Sequence, residues 1–220
     1  MSDQVTSIGQ VLGFVNSFHE RCRNMIRDTV RMLREESSIY LQRNYKMEYC
    51  DKPNDRFLDQ ECSMVRRSWC VYVPTNEIRR AALFYIEFCH PHRYVTPALI
   101  YGAMSYGDAD FSAVERWAAH KLIIETEKRD PSVTVTFNDP ITIVTGAMPL
   151  RFEEAACVRV PLESIADEAA LKRIVVAPLS ALLRGSQAEA ASLLSGVQTE
   201  HWPSATSAAV DEDETDPEQA

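Results

Sequence analysis

The chain has 220 residues, of which 45% are hydrophobic and 25% charged, enough to bury the core of one domain. Its formal charge is −9, but eight acidic residues follow Arg184 without any Lys or Arg among them. Positions 1–184 hold 24 acidic and 23 basic residues, so the net charge of that part is −1. Because phosphate binding needs concentrated positive charge, this balance argues against a nucleic-acid partner.

The N-terminus and the cysteines indicate the cellular compartment in which the protein is expected. Residues 1–4 do not lead from a basic segment into an apolar run, as a secretory signal would, and no stretch approaches the ~18 apolar residues that suggest a membrane span. The six cysteines, at positions 22, 50, 62, 70, 89 and 157, lack paired spacing and are expected to be free thiols in a reducing compartment. We therefore expect a cytoplasmic protein with no membrane contact and no cofactor.

Region 1–50 is predicted to be an N-terminal amphipathic helix. No proline precedes Pro53, and apolar residues recur at helical spacing over most of the region. A helix from residue 8 to 45 would be longer than one domain needs, so we expect it either to break near Glu36 or to project and pair. Four arginines form a stripe on the side opposite the apolar residues. The stripe is Arg23, Arg27, Arg31 and Arg34, and the apolar positions are Val11, Phe14, Val15, Phe18, Cys22, Met25, Ile26 and Leu33.

Residues 51–64 are predicted to be a linker, and residues 65–185 a folded body. Strand patterns occur at 69–73, 97–106 and 157–161, and two β-rich runs around Asn138-Asp139-Pro140 predict a hairpin over 133–145. Helices are predicted at 111–127 and at 166–183, the second kinked by Pro178 and ended by Gly185. Residues 78–89 fit a strand or a helix, and their aromatic and β-branched side chains favour the strand.

This element order predicts an α+β fold, with an antiparallel sheet of about five or six strands and helices on one face. Residues 186–220 are rich in Ala, Ser, Glu, Asp and Pro, and are predicted to be a disordered acidic tail. The element order is similar, by topology rather than by motif, to that of small acidic secretion chaperones and related sensory-regulator domains.

No nucleotide-binding, hydrolase or zinc motif occurs in the chain, which lacks GxGxxG, a P-loop, CxxC, HExxH and GxSxG. The most suggestive cluster is Cys89-His90-Pro91-His92, whose sulfur and imidazole groups could bind zinc or copper if the fold added Cys62, Cys70 or His120. A loop with exposed imidazoles accounts for the same residues and is the favoured interpretation. Three acids beside a helix start, Asp108, Asp110 and Glu115, are likewise better explained as helix caps than as a site.

The favoured function is therefore a non-catalytic protein-binding or regulatory protein, of adaptor or chaperone-like type. Its interaction surfaces would be the sheet and the N-terminal helix, including Phe14 and Phe18, and its partner another protein or a second copy of the chain. The arginine stripe could also bind the acidic tail in cis. The alternative is an enzyme whose site is assembled from distant residues, with Cys89, His90, His92, His120 and Asp108 as the candidates. A winged-helix DNA-binding regulator ranks last and requires residues 78–89 to be helical.

Overall fold

The computed structural model describes residues 2–36, 47–49, 68–74, 80–87, 96–105, 131, 133–146 and 153–202. They form an α+β fold, as the sequence predicts: a long helix, an antiparallel sheet, and a group of C-terminal helices. In chain order the elements are α1 (Ser2–Glu36), β1 (Met47–Tyr49), β2 (Ser68–Pro74), β3 (Arg80–Glu87), β4 (Ala98–Ser105), β5 (Val133–Asn138), β6 (Ile141–Gly146), β7 (Glu154–Pro161), α2 (Glu168–Leu171), a π-helical segment (Lys172–Val176), α3 (Ala177–Leu183) and α4 (Gln187–Leu193).

The described strands form one sheet in the order β1-β2-β3-β4-β7-β6-β5, and every neighbouring pair is antiparallel. The predicted hairpin is confirmed, with β5 and β6 joined by the cis peptide bond Asp139–Pro140. Seven strands exceed the predicted five or six because Met47–Tyr49 pairs with β2. Assigning all of 1–50 to the N-terminal helix was therefore wrong: α1 ends at Glu36, near the predicted break, and β1 follows within the same region.

Residues 80–87 are a strand, which settles the ambiguity at 78–89 within the part of the chain that the structure describes. Residues 81–87 are all buried, so both faces of β3 are covered and the strand has the near-continuous apolar sequence that also fitted a helix. Since this segment is not helical, the condition for the winged-helix alternative is not met.

The helices α2 and α3 form one column with the π-helical segment between them. Pro178 lacks an N–H group and so cannot bond to the carbonyl of Ile174, four residues earlier. The buried Tyr101 hydroxyl on β4 donates to that carbonyl instead, and the preceding turn widens so that the Ala177 N–H bonds to the Lys172 carbonyl. At Pro178, where the sequence predicts a kink, the structure has a locally wider turn, and β4 stabilises it.

The column ends at Gly185, as predicted. Gly185 has φ +84, and the backbone N–H groups of Gly185 and Ser186 donate to the carbonyls of Leu182 and Ala181, which is the Schellman arrangement. Arg80 on β3 donates to the Leu183 carbonyl at 3.0 Å and so satisfies another terminal acceptor. A side chain at Gly185 would collide with the Arg80 guanidinium.

The predicted boundary of the disordered tail at residue 186 is wrong. Residues 187–193 form α4, which packs against α3 and buries Ala190, and Leu194 is buried beyond its end. The chain then returns to the sheet, where Glu200 pairs with Arg159 on β7 and Trp202 is buried. These apolar contacts outweigh the polar composition of the segment. Residues 203–220, which hold the rest of the predicted tail, lie outside the described residues.

The core lies between one face of the sheet and the helices. On this face, register and burial place alternate residues of β3, β4 and β7 in one cluster with the C-terminal helices and the second half of α1. Helix α3 packs on β3 and β4, and α1 packs against the π-helical segment. The described helices thus cover one face, as predicted. The predicted linker 51–64 and helix 111–127 lie outside the described residues.

Candidate protein-interaction surfaces

The second half of α1 is anchored in the core. Cys22, Ile26, Val30 and Leu33 recur at intervals of three or four residues and are all buried, and Met32 is buried beside them. Residues at these intervals share one face of a helix, so this half of α1 presents a continuous apolar stripe to its own domain. The predicted apolar face is therefore used, from Cys22 onward, for packing within the chain.

The first half of α1 is not anchored in this way. From Gln10 to Arg21, none of the side chains that the structure describes is buried. Phe14 is 71% exposed, and its ring stacks on that of Phe18, with centroids 6.4 Å apart and ring planes 9° from parallel. Phe18 reaches the edge of the core, whereas Phe14 does not. The pair forms an exposed aromatic surface, which we call the Phe14 surface.

The sequence around the Phe14 surface is unusual for a helix in water. From Gln4 to Phe18 the chain contains no Asp, Glu, Lys or Arg, whereas charged residues are frequent from Glu20 to Glu36. Solvated helices normally carry charged side chains on the face away from the core. An uncharged helical segment with an exposed phenylalanine is typical of a surface that another protein covers.

The arginine stripe is divided between exposed and half-buried positions. Arg27 and Arg31 are exposed, while Arg23 and Arg34 are half-buried and make further contacts. Arg31 forms an ion pair with Asp28 at 3.1 Å, with the two side chains 55% and 49% exposed. The pair neutralises part of the stripe, and such exposed pairs contribute only about 0–1 kcal/mol.

Two acidic residues of the predicted tail take part in the fold. Glu189 on α4 pairs with Arg184 at 2.7 Å, and Glu200 pairs with Arg159. Docking of the acidic tail on the arginine stripe stays a prediction, because residues 203–220 lie outside the described part of the chain.

The candidate reactive residues Cys89, His90, His92 and His120 all lie outside the described residues, as do Cys62, Asp108, Asp110 and Glu115, whereas Cys70 lies on β2. Two cysteines whose side chains are described, Cys22 and Cys157, are unpaired and buried, and burial raises the pKa of each thiol to about 12. Thiols held in the neutral form are poor nucleophiles, so both behave as small core residues. Gly102 on β4 lies so close to Cys157 that a side chain there would collide with it.

Sequence reasoning missed a buried charge cluster on the opposite face of the sheet. The Arg159 guanidinium bonds to the Glu87 carboxylate at 3.1 Å and also contacts the Glu200 carboxylate. Glu87 and Arg159 are 5% and 9% exposed. Their signal in the sequence is an acidic residue at the end of the apolar run of β3 and a basic residue within the apolar run of β7. The cluster attaches the C-terminal segment to β3 and β7. Because each buried charge has a partner of opposite sign, we interpret the cluster as structural.

A second exposed aromatic residue lies on β5. Phe137 is 50% exposed, and its ring meets that of His201 edge-on with centroids 5.9 Å apart.

Among the described residues no group of three or more His, Cys, Asp or Glu side chains is placed to hold a metal ion. No helix in the described part of the chain is long and apolar enough to span a bilayer.

Comparisons with known proteins give no relative: the chain matches no protein-family model, no curated protein and no solved structure. Function therefore has to be inferred from the surfaces themselves.

Proposed function

We propose that this chain is a non-catalytic protein-binding protein of regulatory or adaptor type, and that the first half of α1 is its primary contact surface. The observation that carries the proposal is the Phe14 surface: a phenylalanine 71% exposed on a helical segment without charged residues. Burying one phenylalanine ring contributes roughly 1.5–3 kcal/mol, so leaving it exposed forgoes that stabilisation unless a partner covers it.

The chemistry of the segment indicates the kind of partner. A helix that offers aromatic and aliphatic side chains at helical spacing suits an apolar groove in another protein. A groove lined by charged groups would leave those groups desolvated and unpaired against the segment between Gln4 and Phe18. A bilayer surface suits it less well, because membrane-surface helices normally carry Lys and Arg on the polar face. Buried free thiols such as Cys22 and Cys157 support a reducing, cytoplasmic location.

The proposal is tested by photo-crosslinking in cells. A photoreactive phenylalanine analogue is placed at position 14 of the full-length chain, and at position 193 in a matched variant, since Phe14 and Leu193 are both exposed. We expect a discrete adduct with another polypeptide from position 14. Once the adduct identifies the partner, Phe14→Ala should weaken its binding by more than about tenfold, because central aromatic anchors contribute at least about 2 kcal/mol.

The control for general surface effects is Ser17→Ala, at an exposed position one turn from Phe14. It should leave partner binding within about twofold of the wild type. No adduct from position 14, or equal binding by Phe14→Ala and the wild type, would contradict the proposal.

A further inference from the structure

The two edges of the described sheet differ in how they are protected. At one edge, β1 has only three residues and includes Glu48. At the other, β5 has six residues, VTVTFN, with neither charge nor proline, and among the described strands it pairs with β6 alone. Proteins usually protect an exposed edge with short strands, charges, prolines or bulges. β5 has none of these devices, so its outer edge is suited to pairing with another strand.

The hairpin determines which backbone groups of β5 point outward. Asn138 and Ile141 flank the two-residue turn and form its closing pair, so the N–H and C=O groups of Asn138 point toward β6. These groups alternate in direction along an antiparallel strand. The outward-pointing groups therefore belong to Val133, Val135 and Phe137, which offer three donors and three acceptors.

The side chains of the same three residues share one face of the sheet. Val135 and Phe137 are in register with Val144 and Thr142 of β6, which lie on the face opposite the helices. Val133 and Val135 are half-buried and Phe137 is half-exposed, so part of this apolar row is uncovered. Threonines 134 and 136 lie on the helix side and are exposed.

We propose that two copies of this chain associate through β5, antiparallel and about a two-fold axis at Val135. In this register Val133 lies opposite the partner's Phe137, and Val135 lies opposite the partner's Val135. Thr134 lies opposite the partner's Thr136. Each outward-pointing backbone group then finds a counterpart, and the two sheets become one.

The choice of a second copy follows from this self-complementarity. Apolar residues oppose apolar residues on one face, threonines oppose threonines on the other, and such cross-strand pairs each contribute roughly 0.2–1 kcal/mol. An isologous contact uses the same patch twice, so a charged strand would repel itself, whereas β5 has no charge. A six-residue strand pair is about 20 Å long and covers less than the ~800 Å² per partner of a standard interface. The dimer is therefore weak, with a dissociation constant on the order of 10 μM or higher.

The test is sedimentation of the full-length protein over a range of about 1 μM to 1 mM, with two matched double variants. Thr134→Lys with Thr136→Lys places like charges opposite each other twice across the two-fold axis. Thr134→Lys with Thr136→Glu places opposite charges there. Both threonines are exposed, so the two variants should fold alike, which circular dichroism checks. We expect the Lys/Lys variant to dimerise at least about tenfold more weakly than the Lys/Glu variant.

A wild-type chain that stays monomeric to about 1 mM would overturn this proposal, as would a dimer equally strong in the Lys/Lys and Lys/Glu variants. Phe14→Glu serves as a third arm and separates this proposal from the proposed function. If Phe14→Glu abolishes the dimer while the Lys/Lys variant keeps it, two copies meet through α1 and the β5 contact is wrong. If the dimer depends on β5 alone, the adduct from position 14 still has to come from another protein.

Discussion

The two halves of α1 have the same apolar periodicity but different surroundings. From Cys22 to Leu33 the apolar residues other than the half-buried Met25 are buried in the core, while the opposite face carries the arginine stripe. Before Cys22 the apolar pattern continues, yet Phe14 is 71% exposed and no charged residue occurs from Gln4 to Phe18. The comparison shows that apolar periodicity identifies which face of a helix is covered. The presence of charged residues indicates whether the remaining faces are exposed to water. The first half of α1 is apolar on one face and uncharged from Gln4 to Phe18, and this combination is the basis for proposing that a partner covers it.

The largest expected effect concerns the anchored half. Ile26 is 1% exposed, so Ile26→Ala should lower the free energy of unfolding by about 2–5 kcal/mol, through lost burial and the cavity it leaves. Phe14→Ala removes a larger side chain from the same helix but should change the free energy of unfolding by less than about 0.5 kcal/mol. Urea unfolding of both variants measures the contrast. Equal losses would mean that the first half is anchored as well.

A smaller effect is expected where the sheet supports the helical segment against which α1 packs. In Tyr101→Phe the buried Ile174 carbonyl loses its donor, which should cost about 1–3 kcal/mol. In a Pro178→Ala background the helix regains an N–H for that carbonyl, so the same substitution should cost less than about half as much. A double-mutant cycle by urea unfolding measures this coupling. Additive costs would show that Tyr101 does not replace the donor that proline lacks.

The end of α3 offers a matched pair of glycines. Gly185 and Gly196 both have positive φ, +84 and +75, but only Gly185 has a neighbour, the Arg80 guanidinium, where a side chain would be added. Gly196→Ala should cost about 1 kcal/mol from backbone strain alone, and Gly185→Ala more, because Arg80 must also move. Thermal unfolding of both variants gives the difference. If Gly196→Ala proves as costly as Gly185→Ala, Arg80 is not fixed at the helix end.

Thiol reactivity along α1 should show where burial begins, with little effect on stability. Because burial raises the pKa of Cys22 to about 12, its thiol should resist alkylation at pH 8, whereas an introduced Ser17→Cys at an exposed position should react at the rate of a free thiol. Rates are measured by mass spectrometry of the intact chain. Equal alkylation rates at positions 17 and 22 would show that the two halves of α1 do not differ in burial.

The same burial predicts how stability depends on pH. In the folded chain the raised pKa keeps Cys22 and Cys157 protonated, so their contribution is fully present below the ordinary thiol pKa of 9.0. It is lost as the pH rises from 9.0 toward about 12, because the unfolded chain then releases protons that the folded chain retains. Replacing both cysteines with alanine should flatten this loss.

Local signals predicted most of the fold. The hairpin was predictable because turn residues separate two β-rich runs, and the end of α3 because Gly185 follows an apolar periodic segment. Helix α4 was missed because the average composition of residues 186–220 is polar, although Leu194 and Trp202 within it are buried. The charge cluster around Arg159 was missed because its members come from β3, β7 and the C-terminal segment, which only the fold brings together.

The candidate surface was predictable in part. Periodicity indicated an apolar face that includes Phe14 and Phe18, but it also indicated Ile26 and Leu33, which are buried. The fold separates the covered residues from the exposed ones, and among the described elements the π-helical segment packs on α1. The missing charges between Gln4 and Phe18 were the available signal for that boundary.

Hydrogen exchange along α1 in the purified full-length chain tests the central contrast most directly. Amides from residue 13 to 19 should exchange at least about 100-fold faster than those from 24 to 33, because only the second half is protected by tertiary packing. Adding the partner identified through position 14 should slow exchange in the first half and leave the second half unchanged. Equal protection of both halves in the free chain, or no slowing of the first half by the partner, would contradict the account.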